Sequence, residues 1–437
     1  MNTASDSEPE IVVHSHSGHD PYAALRQRDF QVYLTGNFLS VLGTQMQTFA
    51  VGWEVYERTG SALALAWVGL AQFLPIITLT LTGGYTADRY DRKPILIISL
   101  VAIALCSCGL AWISTTQGSI LALYACLFGA GIARAFLQPA KSAFLPQFVS
   151  PARFSNAVTW NMGAFQLASV LGPALGGVVV SQTHSAAIVY LLDALATGLF
   201  AVILPLIAAP RFVPGPVAPR AAMLAAGLRF VWRTKVILAA MTLDMLAVLL
   251  GGAVSLLPVY AKDILDVDAN GLGWMRTAPA IGALITSFVL AYRPPLARAG
   301  RALLWAVAGF GAATIVFGLS RSYPLSLAML FLTGAFDIVS VVIRHTLVQL
   351  LTPDEMRGRV SAVNGVFISA SNELGGFESG IVAHLFRDNH NLTWGPTISV
   401  VSGGMGTLVV VGMVALLWPE LRRYGRLTGS PQPDKSP

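Results

Sequence analysis

Charged side chains that stand inside long apolar stretches are the first chemistry this sequence offers. Asp193, Asp244, Asp337, Glu373, Glu378, Arg134 and Arg344 all do so. A charge in the middle of a bilayer costs at least ~2.5–3.5 kcal/mol, so each one needs a function or a partner. A carboxyl held there could load and release a proton, which makes Glu373, Asp244, Asp193 and Glu378 candidates for proton coupling. A satisfied interhelical hydrogen bond is the rival reading for each of them. Asp337 and Arg344 are seven residues apart and share a helical face, as do Arg134 and Lys141. Partners on neighbouring helices, or a place near a cytoplasmic helix end, account for both sets. His345 near such an end reads as a solvated histidine rather than a relay.

The polar residues form the second group. Asn37, Thr44 and Thr48 fall on one helical stripe of the first span, with Gln45 beside it. Asn161 and Gln166, next to Trp160, extend the pattern in the fifth span, and Asn372 adjoins Glu373. These are candidate walls of a substrate cavity, with helix–helix packing as the alternative.

The elements that must position them are membrane helices. Of 437 residues 54% are apolar and 11% charged, against about 25% charged in a soluble domain. The apolar residues come in blocks of about twenty, enough for a helix to cross a ~30 Å hydrocarbon core. No strict alternation marks a barrel. Spans are expected near 32–56, 62–86, 94–115, 118–140, 156–181, 186–209, 236–260, 271–292, 302–320, 323–347, 360–386 and 395–418. The fold class is therefore all-α membrane, with twelve transmembrane helices in two six-helix bundles. With the N-terminus inside, about twenty-one Lys and Arg fall in cytoplasmic gaps and four in outer ones. Both termini are then cytoplasmic. That bias accounts for the net charge of +6 without nucleic acid.

The expected units are a tail over 1–25, bundles over 26–209 and 236–418, a linker over 210–235 and a tail over 419–437. The linker opens with the Pro-rich stretch 210–219 and continues as an amphipathic helix at the cytoplasmic surface. The first tail lacks the features of a cleaved signal peptide. Its His14, His16 and His19 lie where nothing would fix a metal geometry. Cys106, Cys108 and Cys126 sit in apolar spans and read as small buried hydrophobes. No G-x-S-x-G, H-E-x-x-H or P-loop appears, so neither an enzyme nor ATP is implied, and no cofactor or metal is expected. The expected partners are the lipid bilayer, a small-molecule substrate and protons, with the chain acting as a monomer.

The two halves are related. Leu145-Pro-Gln147-Phe-Val-Ser150-Pro151 matches Leu347-Val-Gln349-Leu-Leu-Thr352-Pro353, and Gly163 and Phe165 match Gly365 and Phe367, at an offset near 202. Six intervening spans make this a parallel repeat about the membrane normal.

Between spans two and three, Gly83-Gly84-Tyr-Thr-Ala87-Asp88-Arg89-Tyr-Asp91-Arg92-Lys93-Pro94 resembles the cytoplasmic signature of the major facilitator superfamily. Thr86 and Asp91 depart from it. The branch resembled contains enterobactin exporters and macrolide or tetracycline efflux pumps. Asp29-Phe30, Ser40 to Gln47, Thr59-Gly60-Ser61-Ala62 and Arg357-Gly358-Arg359-Val360 agree with it, over residues ~26 to ~420. The resemblance implies an exporter working by alternating access. It implies that Gly84, Asp88, Arg89, Arg92 and Lys93 form a gate at the cytoplasmic mouth, with Asp88 near Gly358. It also places Glu373 and Asp244 on cavity-lining helices. Gly172-Pro173-Ala-Leu-Gly176-Gly177 resembles the superfamily's antiporter signature, in which proline bends the helix and glycines admit neighbours. An importer or lysophospholipid flippase on the same fold, and a non-transporting membrane sensor, are the competing functions.

Overall fold

The computed structural model describes residues 22–208, 220–292, 298–387 and 393–425. The N-terminal histidines, the Pro-rich start of the linker and the end of the C-terminal tail lie outside them. Among the described residues there are helices and no strands. They are α1 (Arg28–Thr59), α2 (Ala62–Arg89), α3 (Arg92–Thr115), α4 (Ile120–Phe148), α5 (Pro151–Thr183), α6 (Ala186–Ile203), α7 (Arg220–Arg233) and α8 (Lys235–Leu250). Then follow α9 (Ala269–Tyr292), α10 (Ala299–Leu319), α11 (Tyr323–Leu351), α12 (Asp354–Leu385), α13 (Trp394–Leu417) and the short α14 (Pro419–Arg423). After α8 the chain continues through irregular turns to Ile264.

Ten of these segments are long and apolar enough to cross a membrane. The other two long helices, α1 and α12, are 32 residues each and carry most of the polar side chains singled out above. At 1.5 Å per residue each reaches ~48 Å, so length does not limit them. Very short connections set the antiparallel order. Gly60, at φ 56°, closes α1, and the next residue, Ser61, accepts from Ala64 N–H to start α2. Asp91 caps α3 through Lys93 N–H.

Packing repeats between the halves. In the first, α1 lies on α5 and α6, α2 on α4, and α3 on α4 and α6. In the second, α8 lies on α12 and α13, α9 on α11, and α10 on α11 and α13. The close approaches repeat too. Gly131 of α4 meets Pro75 and the Gln72 carbonyl of α2, and Gly334 of α11, 203 residues on, meets the Pro279 carbonyl of α9. The halves join along two seams, α5 with α9 and α2 with α12.

The outer surface is apolar. Ile98, Leu105 and Trp112, spaced by seven along α3, are 66–71% exposed. Such a stripe has no place in water, and hydrocarbon is its solvent. The linker helix α7 packs Gly227 and Val231 onto α12 and α8 and leaves Leu228 and Trp232 exposed beside Arg229 and Arg233, as an interfacial helix does. The cysteines are free. Cys106 and Cys126 sit half-buried in the α3–α4 seam, and Cys108 faces outward, where a buried position was expected.

Candidate functional site

The seams are tight at one end of the molecule and part at the other. At the closed end Tyr56 donates to Asp263, and Ser181 donates to Asp268 at 2.6 Å. Trp67 sets its edge against Phe377 with centroids 5.8 Å apart, and Gly380 lies against Ala62 and Ala66. Gly177 faces the Ala269 carbonyl and Gly273, where an added Cβ would stand 2.6 Å from that oxygen. At the other end Met162, Phe165 and Val366 are exposed, and nothing lies within 4 Å of a Cβ built on Gly163 or Gly365. A cleft therefore opens between the halves toward the end that carries Asp88 and Arg357.

The Gly-Pro motif builds the closed seam. Gly172 and Gly176 admit Gln45 and Phe49 of α1, while Gly177 admits α9, and the Pro173 carbonyl lies against Gly273. The second half has the same construction without the proline: Gly375 admits α8 and Gly380 admits α2. Gly177→Ala should wedge α5 from α9 and shift the protein toward opening at this end. Faster labelling of a cysteine placed at Asn270, half-buried against Gly177, reads that shift, and unchanged labelling would contradict it.

Asp268 is a second lock there. The Ser181 hydroxyl and Gly271 N–H hold its carboxyl below the ordinary aspartate range. A lowered value means the lock is present above that range and is lost as pH falls through the depressed value. Acidifying this face should loosen the α5–α9 seam, and Asp268→Ala should remove the pH dependence of the same labelling rate.

Arg134 organises the first half. The expected place for it was a cytoplasmic helix end. However, α4 runs on to Phe148, so Arg134 stands midway along it. Its guanidinium donates to Gln72 at 2.6 Å and to Gln47 at 3.4 Å. Gln47 donates to Ser107, and Ser107 donates to Asp193 at 2.7 Å. Asp193, fully buried, also accepts from Thr44 and Thr197. Asp193 is thus a satisfied hydrogen-bond centre joining α1, α3 and α6. Gln72, which holds Arg134, stands one turn from Gly69 of α2, the residue that Glu373 of α12 lies against.

Glu373 belongs to the other half. Its Oε2 lies 3.2 Å from where a Cβ on Gly69 of α2 would be, on the α2–α12 seam. On the corresponding α5–α9 seam Thr277 of α9 bonds to the Val170 carbonyl. Glu378, one turn nearer the closed end, has Ser379 at 3.4 Å.

Asp244 is ion-paired with Arg344, with side chains 10% and 3% exposed. The partner sought for Arg344 on a neighbouring helix is therefore Asp244. Asp337 lines a small cavity with Asp244 and Ser340 beside this pair. In the repeat Asp337 stands where Arg134 does, so the two halves place opposite charges at equivalent sites. His345 is exposed.

The polar stripe of α1 divides. Asn37 donates to Asn161 at 2.8 Å and Gln45 to Ser169 at 2.9 Å, so these side chains lock α1 to α5. Thr48 bonds to the Thr44 carbonyl of its own helix. Gln166 lies on the α5 face that turns toward α9 below the seam, and Asn372 is exposed with its amide on the Ile368 carbonyl. Asn37, Gln45 and Asn161 thus bond across the α1–α5 contact, while Gln166 is half-buried and Asn372 exposed.

At the mouth, Arg89 turns back on its own helix, donating to the Tyr85 hydroxyl at 2.6 Å and stacking over its ring. Among the described residues it engages no carboxylate of the other half. Arg92 donates to the Ala87 carbonyl, and Lys93 donates to the Pro205 and Ile207 carbonyls at 2.9 Å, all within the first half. Gly84 is buried in α2, and Gly358 has open space around it.

Two charges escaped the sequence reading. Glu54 accepts from Tyr190 and Arg58 near the closed end of α1. Arg276 lies in α9 among apolar residues, and a charge inside that run was the signal available for it.

The profile of the family described as transmembrane secretion effectors matches residues 19–418. The chain belongs to this family of the major facilitator superfamily. The enterobactin exporter EntS of Shigella boydii serotype 18 is 26% identical over 408 residues, covering 90% of this chain and 93% of that one. EntS of Escherichia coli O139:H28 matches to the same extent. Among solved structures, a bacterial homolog of the human lysosomal transporter Spinster, inward-facing and unoccupied, superposes with a TM-score of 0.72. It is 15% identical and covers 91% of this chain and 98% of its own. The nucleoside transporter NupG superposes at 0.67, with 14% identity and 90% and 99% coverage. These neighbours establish the major facilitator fold. This family member is a multi-pass membrane transporter.

Proposed function

We propose that the protein exports a small organic molecule across the cell inner membrane in exchange for protons, by alternating access. One observation carries this reading: Glu373 of the second half lies against Gly69 of α2, one turn from Gln72, which holds the Arg134 guanidinium of the first half. Protonating Glu373 removes a charge attraction across the α2–α12 seam, and losing the proton restores it. That makes the relative position of the halves depend on proton occupancy. The relatives named as enterobactin exporters support export, with a siderophore, drug or amphipathic metabolite as cargo.

The excess of basic residues at the open end supports a cytoplasmic location for that end and for both termini. The described conformation is then inward-facing. Cargo enters beside Gln166, Thr44, Thr48 and Asn372. The Tyr56–Asp263 and Ser181–Asp268 bonds hold the outside shut. In the opposite state the outer locks release, and Asp88, Arg89 and Arg92 meet the start of α12 to close the inside. Asp244, paired within its own half, supports the second bundle rather than the proton step.

Everted vesicles loaded by counterflow with dyes, macrolides and catecholates test the reading. Accumulation should rise when a pH gradient, acid inside, is imposed. Transport that ignores the gradient would remove proton exchange, and transport in the reverse sense would make the protein an importer.

A further inference from the structure

We propose that Arg276 is the anchor for the negatively charged group of an anionic substrate, a carboxylate or an equivalent pair of oxygens; this rests on the transport reading above. Arg276 has no carboxylate partner among the described residues, and its Nε is buried without a hydrogen bond. Among the described residues, Arg134, Asp193, Asp244, Arg344 and Glu378 have a counter-charge or a hydrogen bond, and Asp337 and Glu373 lie near one. A cation drawn this far out of water without an anion is costly and is retained where something else supplies the anion.

Its placement says what that is. On α9, Trp274, Ala278 and Ile281 face outward along an apolar groove with α11. Gly273 and Thr277 face α5, and Gly282 faces α11. At 100° per residue Arg276 points opposite the outward stripe, into the space between the halves. One Nη lies 3.5 Å from where a Cβ on Gly52 of α1 would be, and Pro258 stands beside that position. Gly52 continues the α1 stripe of Thr44 and Thr48 by one turn, so hydroxyls lead from the cleft toward the guanidinium. On α9 the residues below Arg276 on its own face are Ala280, Ala283 and Ser287, small side chains that leave room for a ligand body. The guanidinium fork matches two anionic oxygens bidentately, which a neutral or cationic ligand cannot offer. An anion held there would touch α9 of one half and α1 of the other at the end of the cleft, where it would report its presence to both.

The test uses the purified full-length protein in detergent, with 2-naphthoate, salicylate and citrate as probes and the corresponding neutral amides as controls. The wild type should show a thermal shift with at least one carboxylate and none with its amide. Arg276→Gln should lose that shift, and Arg276→Lys should keep part of it. Without ligand, Arg276→Gln should melt at or above the wild-type temperature, because an uncompensated charge is gone. A wild type blind to all three carboxylates, a shift that survives in Arg276→Gln, or an Arg276→Gln protein that melts well below wild type would overturn the proposal. Gradient-driven export of a neutral dye by the wild type separates the two readings. If the wild type exports that dye while blind to all three carboxylates, the anchor fails and the transporter reading stands.

Discussion

Glu373→Gln should abolish the response of export to a pH gradient while leaving gradient-free counterflow intact. A one-unit gradient supplies about 1.4 kcal/mol per proton, a tenfold concentration ratio for one-for-one exchange. The variant should therefore accumulate cargo about tenfold less than wild type at that gradient. Glutamine keeps the shape and fits against Gly69, so the seam should close as before. What it loses is the alternation between charged and neutral forms opposite Arg134. Full gradient-driven transport by the variant would transfer the proton to another carboxylate.

The second large effect concerns stability. Asp244→Asn leaves the Arg344 guanidinium buried without its counter-charge. Removing one member of a buried pair costs about 3–5 kcal/mol, whereas replacing both with apolar residues of similar volume is often neutral or better. Thermal unfolding in detergent should show a marked loss for Asp244→Asn and a return toward wild type for Asp244→Leu combined with Arg344→Met. The double variant should also recover gradient-driven transport. An Asp244→Asn protein as stable as wild type but dead in transport would instead put the proton at this pair.

Most of the fold was legible in the sequence because lipid permits so few solutions. Blocks of about twenty apolar residues with charges in the gaps become helices of nearly the expected bounds, and the match of Leu145–Pro151 with Leu347–Pro353 becomes a repeated pattern of packing. The site was only partly legible. Asn37 and Gln45 looked like a cavity wall because their stripe is polar, but a stripe does not say whether its neighbour is water or another helix, and here Asn161 and Ser169 face it. Arg134 was placed at a helix end because the apolar block fades near residue 140, whereas the helix continues past Pro139 and Pro146. Asp244 and Arg344 are one hundred residues apart, and only the packing of α8 against α11 makes them one ion pair.

Distances between the two ends of the cleft test alternation most directly. In a variant lacking its three cysteines, spin labels at Met162 and Val366 report the open end, and labels at His184 and Lys262 report the closed one. Changing pH across the range in which export responds should shorten the first distance as it lengthens the second. Two distances that stay fixed, or that lengthen together, would contradict a transporter that rocks its halves about a central proton site.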